Sequence, residues 1–209
     1  RDSVALNQTV SLAVAEKLSK IFLEIVIAPD FDKEALALLT QKKNIRLLQL
    51  DTSLEVHTDY KVTNVNDGLL VQDVDAKRIT EADVRVVTDR KPTDEEMKQL
   101  LFAWRAVKHV KSNAIVLVKD NMTVGVGAGQ MNRVGAAKIA IEQAGEKAAG
   151  SVMGSDAFFP MPDTVEEAVK AGVTAIIQPG GSIRDQDSVD VCNKHNIAMV
   201  YTGIRHFKH

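Results

Sequence analysis

Four clusters in the second half of the chain hold residues that could do chemistry. Ser112 and Asn113 set a hydroxyl beside a carboxamide, neutral groups that can hydrogen-bond a polar substrate. Gly125, Gly127 and Gly129 leave bare backbone shortly before Gln130 and Arg133, so a ligand can approach main-chain atoms or the strand end can turn tightly and pack closely. Ser155-Asp156-Ala157-Phe158-Phe159-Pro160 joins a carboxylate to two rings and a proline, a composition suited to a stiff loop that stacks on a planar heterocycle. Arg205-His206-Phe207-Lys208-His209 gathers cations and imidazoles in a terminal segment, where fraying is the ordinary expectation. Each cluster also has a plain structural reading: close packing at strand ends, rings in a core, a solvated tail.

Several other chemistries are disfavoured by pattern. The glycine series has Gln130 where a dinucleotide fingerprint needs its third glycine, and lacks the acidic residue after the next strand, which argues against a nucleotide-dependent oxidoreductase. His57, His109, His195, His206 and His209 show no metal-ligand spacing, and the single cysteine, Cys192, permits neither an internal disulfide nor a multi-cysteine zinc site. Zinc-deaminase signatures and a G-x-S-x-G elbow are missing. Gln178-Pro179-Gly180-Gly181-Ser182 reads either as a phosphate-binding turn with Ser182 as helix cap or as an ordinary strand-to-helix turn. A net charge of -2 gives no reason to expect nucleic acid or a membrane as partner. No apolar run approaches about 18 residues, and a cytoplasmic, reducing compartment is the expectation.

The elements that must position these clusters follow from periodicity. Val10 to Ile21 has helical spacing, Leu23 to Ala28 reads as a buried strand, Asp32 can cap a helix through Leu39, and Ile45 to Leu50 supplies another strand. This βαβ pattern favours a parallel sheet. Residues 51–91 hold short β-prone runs, Tyr60 to Val65, Gly68 to Val74 and Val84 to Thr88. Thr93 and Glu96 form a capping box before a stripe of Met97, Leu100, Leu101, Trp104 and Val107, which puts Trp104 in a core. Strands at Ala114 to Val118 and Met122 to Val126 precede a helix from Arg133 to Lys147. A second box is read at Thr164 and Glu167, with Gly172 closing its helix. Val173 to Ile177, Asp185 to His195 and Ile197 to Tyr201 complete a strand, helix and strand. The expected architecture is α/β and three-layered, in an order that resembles the cytidine-deaminase-like fold. Residues 1–50 would be the tail of a partial first subdomain, 51–91 a β-rich connection and 92–209 a complete second subdomain.

Taken in series, the blocks resemble a known family. Val4-Ala-Leu-Asn7, Glu24-Ile-Val-Ile-Ala-Pro29, Gly68-Leu-Leu-Val-Gln72, Lys111-Ser-Asn113, Gly127-Ala-Gly-Gln130, Ser155 to Pro160 and Arg205-His-Phe207 are similar to the formyltransferase half of the bifunctional purine biosynthesis proteins, AICAR transformylase and IMP cyclohydrolase. The resemblance runs over essentially the whole chain. It implies transfer of a formyl group from 10-formyltetrahydrofolate to the 5-amino group of AICAR, giving FAICAR, in a cytoplasmic homodimer. Asn113 would be catalytic. Glu24 would lie near the AICAR carboxamide or amine, and Arg205 near the nucleotide. Phe158, Phe159 and Pro160 would form the loop beside base and folate. Gln130 and Arg133 would border the site, with His209 close to it. A structural potassium ion near Val107, Ser112 and Asp156 is implied as well.

The departures from that family are equally specific. The lysine-histidine pair that works with the asparagine has no counterpart here, nor has the arginine-tyrosine-glycine-asparagine-proline element or the cyclohydrolase domain. The expectation is therefore a C-terminal fragment, inactive alone, since losing general acid-base groups costs about 10²–10⁴-fold. The competing expectation is a non-catalytic nucleotide- or folate-binding scaffold with the same fold.

Overall fold

Residues 2–51 and 60–208 are described by the computed structural model. Their contacts separate into two units, Arg1–Val74 and Asp75–His209. In the first unit, β1 (Ser3–Ala5), α1 (Leu12–Ser19), β2 (Ile25–Ala28), α2 (Lys33–Leu39) and β3 (Arg46–Gln49) alternate. The three strands are parallel in the order β1-β2-β3, as the βαβ pattern predicts. Both helices pack on the face that carries Val26 and Ala28, with Ala15, Leu18, Ala35 and Leu39 in the core. Helix α1 is shorter than its apolar periodicity, because Val10 is drawn into a bridge with Phe31 and Ser11 caps the first turn by accepting from Val14 N. Asp32 stands at the N-cap of α2, but its side chain makes no capping bond. A hairpin of β4 (Tyr60–Val65) and β5 (Gly68–Asp73) follows, exposed along both strands.

The second unit comprises β6 (Arg85–Val86), α3 (Asp94–Val107), β7 (Ile115–Lys119), β8 (Met122–Gly127), α4 (Arg133–Ala144), β9 (Val152–Ser155), α5 (Asp163–Lys170), β10 (Ala175–Gln178), α6 (Asp185–Lys194) and β11 (Ala198–Tyr201). One six-stranded sheet has the order β6-β11-β10-β9-β7-β8. Strands β9, β10 and β11 are parallel, while β6, β7 and β8 each run against their neighbours. Strand β6 thus belongs to this sheet, whereas the hairpin at 60–73 belongs to the first unit. Residues alternate cleanly across the sheet. Val116, Val118, Ala175, Ile177, Ala198 and Val200 meet α3 on one face, and Ile115, Leu117, Met153, Ile176 and Met199 meet α4, α5 and α6 on the other. This unit is a three-layer α/β structure.

Local chemistry explains most element starts. Both bonds of the Thr93–Glu96 capping box form, Glu96 N to Thr93 Oγ1 at 3.1 Å and Thr93 N to Glu96 Oε2 at 2.9 Å. Arg90 then grips the same carboxylate bidentately at 2.8 and 2.9 Å and also donates to the carbonyls of Thr174 and Asn196. One guanidinium so joins the start of α3 to the approaches of β10 and β11. Burial raises the Glu96 pKa, but bonds from Arg90 and the Thr93 amide outweigh it and leave the group below its ordinary range. The second box does not form. Pro162 takes the N-cap with φ −74, Asp163 Oδ1 accepts from Thr164 N at 2.7 Å, and Glu167 pairs with Lys170 at 2.8 Å. Proline's fixed φ starts the helix earlier than the threonine would.

Two glycines decide how α4 sits. A Cβ on Gly125 would stand 1.9 Å from Ala140 O, and one on Gly127 1.9 Å from Ala136 O. Helix α4 therefore lies against β8 backbone to backbone, which settles the role of these glycines as close packing. The helix ends at Ala144, ahead of a 3₁₀ turn over Gly145–Ala148. Among the described residues no helix is long and apolar enough to cross a membrane.

Candidate functional site

Because β7 runs against β9, its first residue lies at the carboxyl end of the parallel strands; Ile115 pairs with both Ser155 and Gly127. Five segments consequently meet at one edge of the sheet: 111–114 before β7, 128–133 after β8, 156–160 after β9, 179–184 after β10 and 202–208 after β11. The carboxyl edge of parallel strands is where open α/β sheets hold ligands.

Hydrogen bonds stitch these segments together. Asn113 Nδ2 donates to Gln130 O at 2.9 Å, its backbone N donates to the same oxygen at 3.2 Å, and Gln130 N returns a bond to Asn113 O at 3.4 Å. With Nδ2 so engaged, Oδ1 of Asn113 is presented as an acceptor. The Gln130 side chain folds back, its Nε2 donating to Ala128 O at 2.9 Å. Asn132 caps α4 through Oδ1, which accepts from Gly135 N at 2.8 Å, and places Arg133 on the first helical turn. Asp156 N donates to Ala114 O, and His206 N donates to Asp156 O.

One ion pair at this edge is buried. Arg133 Nη2 lies 3.3 Å from Asp156 Oδ1, with side chains 11% and 0% exposed. Asp156 Oδ2 and Arg133 Nε are buried without a hydrogen-bond partner among the described residues. Burial pushes the Arg133 guanidinium below its ordinary pKa, the Asp156 carboxylate pulls it back, and nearby Arg205 pushes it down again. Arg205 itself is exposed, with its guanidinium 4.8 Å above the Phe158 ring.

The aromatic pair divides. Phe158 is half-buried beneath Arg205, whereas Phe159 is fully buried in the core shared with α4 and α5. Consecutive residues of an extended loop point to opposite sides, so Phe158 alone of the two rings faces the edge, followed by exposed Pro160. The 178–182 turn holds its own amides: Gly180 N donates to Gln178 Oε1 at 2.6 Å and Gly181 N to Asp185 Oδ2 at 2.7 Å. Ser182 Oγ accepts from Arg184 N instead of capping α6. An anion there would meet the Asp185 carboxylate, so the segment is a strand-to-helix turn. Beside it, Arg85, Gly180, Asp185, Tyr201 and Gly203 border an opening of about 460 Å³. Burial, then the Asp185 charge, pushes the Tyr201 hydroxyl up to about 12.

The remaining expected residues lie elsewhere. Glu24 belongs to the first unit, half-buried at the amino end of β2, where its backbone bonds Asp2 O and Arg46 N. Val107 is buried against the α3 face of the second sheet, its carbonyl accepting from Val110 N at 3.0 Å. Ser112 is bonded twice to Lys208. His209 lies outside the described residues. Sequence reasoning missed the Arg90 grip and a contact between His206 and Asp75, 131 positions apart. Only the acid and imidazole types could have hinted at the latter.

The second unit is thus an α/β sheet with a polar and aromatic site at the carboxyl ends of its parallel strands. Residues 2–143 match the model of the AICARFT/IMPCHase bienzyme family. Over 206 residues the chain is 65% identical to the bifunctional purine biosynthesis protein PurH of Oceanobacillus iheyensis and 65% identical to that of Bacillus subtilis, covering 99% of this chain in each case. The chain belongs to the AICARFT/IMPCHase bienzyme family. It spans 40% of the length of these curated relatives. Among solved structures, Acinetobacter baumannii RibD (form 2) is 19% identical with a TM-score of 0.35, over 50% of this chain and 33% of that one, a likeness too loose to define the fold.

Proposed function

We propose that this chain supplies the asparagine side of a formyltransferase site, at which the 5-amino group of AICAR attacks the formyl carbon of 10-formyltetrahydrofolate. The observation that carries the reading is the convergence of Asn113, Gln130, Arg133, Phe158 and Arg205 at the carboxyl edge of one sheet. Family membership supplies the substrates. The aromatic amine is a weak nucleophile, because its lone pair is delocalised into the imidazole and carboxamide. It must be held in line with the formyl carbon, relieved of a proton, and its tetrahedral oxyanion stabilised. Asn113 Oδ1, fixed by the Nδ2 bond to Gln130, accepts a hydrogen bond from the amine and orients it. Arg205, standing over Phe158, meets the anionic part of the nucleotide while the ring lies beside the planar base. Pro160 stiffens that loop, and Phe159 contributes from beneath as a packing residue. Glu24 and His209 keep their family roles as proposals. The fold of the second unit is read as deaminase-like in the same spirit, with its division from the first part of the chain near the connection at 51–91.

A homodimer is part of the same reading. So is a monovalent cation near Val107, Ser112 and Asp156, for which one observation fits: Asp156 Oδ2 is a buried oxygen without a partner among the described residues. Two observations do not fit. Arg133 already neutralises Asp156, and Ser112 Oγ already accepts from Lys208 N. No step is routed through that ion.

In this reading the proton is handled by the family's lysine-histidine segment, which the 209 residues of this sequence do not include. The test is formyl transfer to AICAR by the chain alone and after addition of a polypeptide bearing that segment. The expected outcome is transfer only in the mixture, lost by at least about 10²-fold in Asn113→Ala. A complex that forms and stays inactive would point to a binding scaffold instead.

A further inference from the structure

Residues 202–208 of the second unit belong to no helix or strand, yet they carry the site arginine. Termini of this kind fray unless they are tied down. Here the ties alternate. Arg205 points outward to Phe158, His206 points inward, and Lys208 is held by Ser112, whose N donates to Lys208 O at 2.9 Å and whose Oγ accepts from Lys208 N at 3.0 Å. The inward residue is the unusual one. His206 has a side chain 1% exposed, packs against Trp104 with ring centroids 4.4 Å apart and planes tilted by 42°, and places Nδ1 2.5 Å from Asp75 Oδ2. Asp75 Oδ1 in turn lies 3.6 Å from Lys108 Nζ at the end of α3.

Filling the space beside Trp104 would need only an apolar side chain. A buried imidazole costs more, because its Nε2 has no partner among the described residues. What the imidazole adds over a leucine is direction: one charge-assisted bond to Asp75 fixes the rotation of the segment about its own axis. In an extended chain that rotation decides which side the neighbouring residue faces. An arginine also loses a large side-chain entropy on binding, so a fixed backbone beneath it lowers the cost of ordering it.

We propose that Asp75 and His206 are positioning residues which lock the rotation of the terminal segment and so aim Arg205 at the nucleotide. The proposal rests on the reading above that Arg205 contacts AICAR. Asp75 does this from the first position of the second unit, so the start and the end of that unit are fastened to each other at the site.

Two measurements test it. The first uses the chain alone: amide exchange across residues 203–208 should quicken about tenfold in Asp75→Asn and in His206→Leu, and return toward the parent rate in Asp75→Glu. The second uses the complemented mixture. Both substitutions should raise the KM for AICAR about tenfold while kcat stays within about twofold, and either one combined with Arg205→Ala should be no worse than Arg205→Ala alone. Unchanged exchange overturns the lock. Faster exchange with an unchanged KM, or additive losses in the double variants, makes the pair merely structural and overturns the aiming. An inactive complemented parent overturns the function itself and this role with it, while the exchange data still report on the contact. Asp75→Asn is a surface change and keeps the test valid if His206→Leu fails to fold.

Discussion

Within the second unit helices cover both faces of the sheet; among the described residues of the first unit its own helices cover one face. In the second, α3 closes one side and α4, α5 and α6 the other, so its central strands β7, β9, β10 and β11 are buried almost without interruption. In the first, α1 and α2 share a side, while Ile25 and Ile27 on the other are half-buried and Leu48 is 48% exposed. Parallel sheets are ordinarily covered twice. The difference teaches that close packing on both faces is concentrated in the unit that holds Asn113, Arg133, Phe158 and Arg205. A site built on a doubly covered sheet can hold its side chains to the tolerance that chemistry demands.

The largest expected effect would break the comparison by undoing the better-packed unit. In Gly127→Val the new side chain collides with the carbonyl of Ala136, so α4 must lift from β8. The second unit should lose about 3 kcal/mol or more. The only tryptophan, Trp104, reports its unfolding by fluorescence during denaturation. A transition at the parent midpoint would show that the backbone-to-backbone packing is not needed.

A matched pair of truncations sharpens the contrast. Leu100 is fully buried under the second sheet, and Leu100→Ala should cost about 3–4 kcal/mol. Leu48→Ala, at a half-exposed position of the first, should cost under about 1 kcal/mol. Equal losses in chemical denaturation would erase the distinction between the units.

The smallest effect is a pH dependence confined to the second unit. Burial lowers the His206 pKa, Asp75 opposes this, and the net direction is down. A histidine depressed in the native state contributes stability that is complete above its unfolded value of about 6.5 and is lost as pH falls through the native value. The denaturation midpoint followed at Trp104 should therefore drop between about pH 7 and pH 5, and drop less in His206→Leu. An equal drop in both proteins would assign the acid sensitivity to other groups.

What could be read in the sequence was local. The Thr93–Glu96 box, the βαβ order, the core placing of Trp104 and the glycine-rich end of β8 all rest on neighbours within a few positions, and all stand in the structure. Local signals also failed where a stronger local term competed. Pro162 overrode the Thr164 box, and Asp185 took the amide that a phosphate would have used. At the site, the strand ends were legible; the gathering of Asn113, Gln130, Arg133 and Arg205 at one edge was not, because it depends on β7 running against β9, which periodicity does not reveal. Which ring of Phe158 and Phe159 faces that edge was not, because a pair of adjacent aromatics has no intrinsic side. Arg90 was invisible for another reason: three of its partners are backbone carbonyls, and any residue type could supply them.

The backbone contact between α4 and β8 has a consequence in time. Arg133 stands on the first turn of a helix whose backbone meets its strand at Gly125 and Gly127 with no side chains between them as a compliant layer. Helix shifts occur over microseconds to milliseconds, whereas side-chain rotations take about picoseconds to nanoseconds. A shift of α4 would have to open that backbone contact, so the expected adjustment around Arg133 and Asp156 is the faster one, by rotamer change.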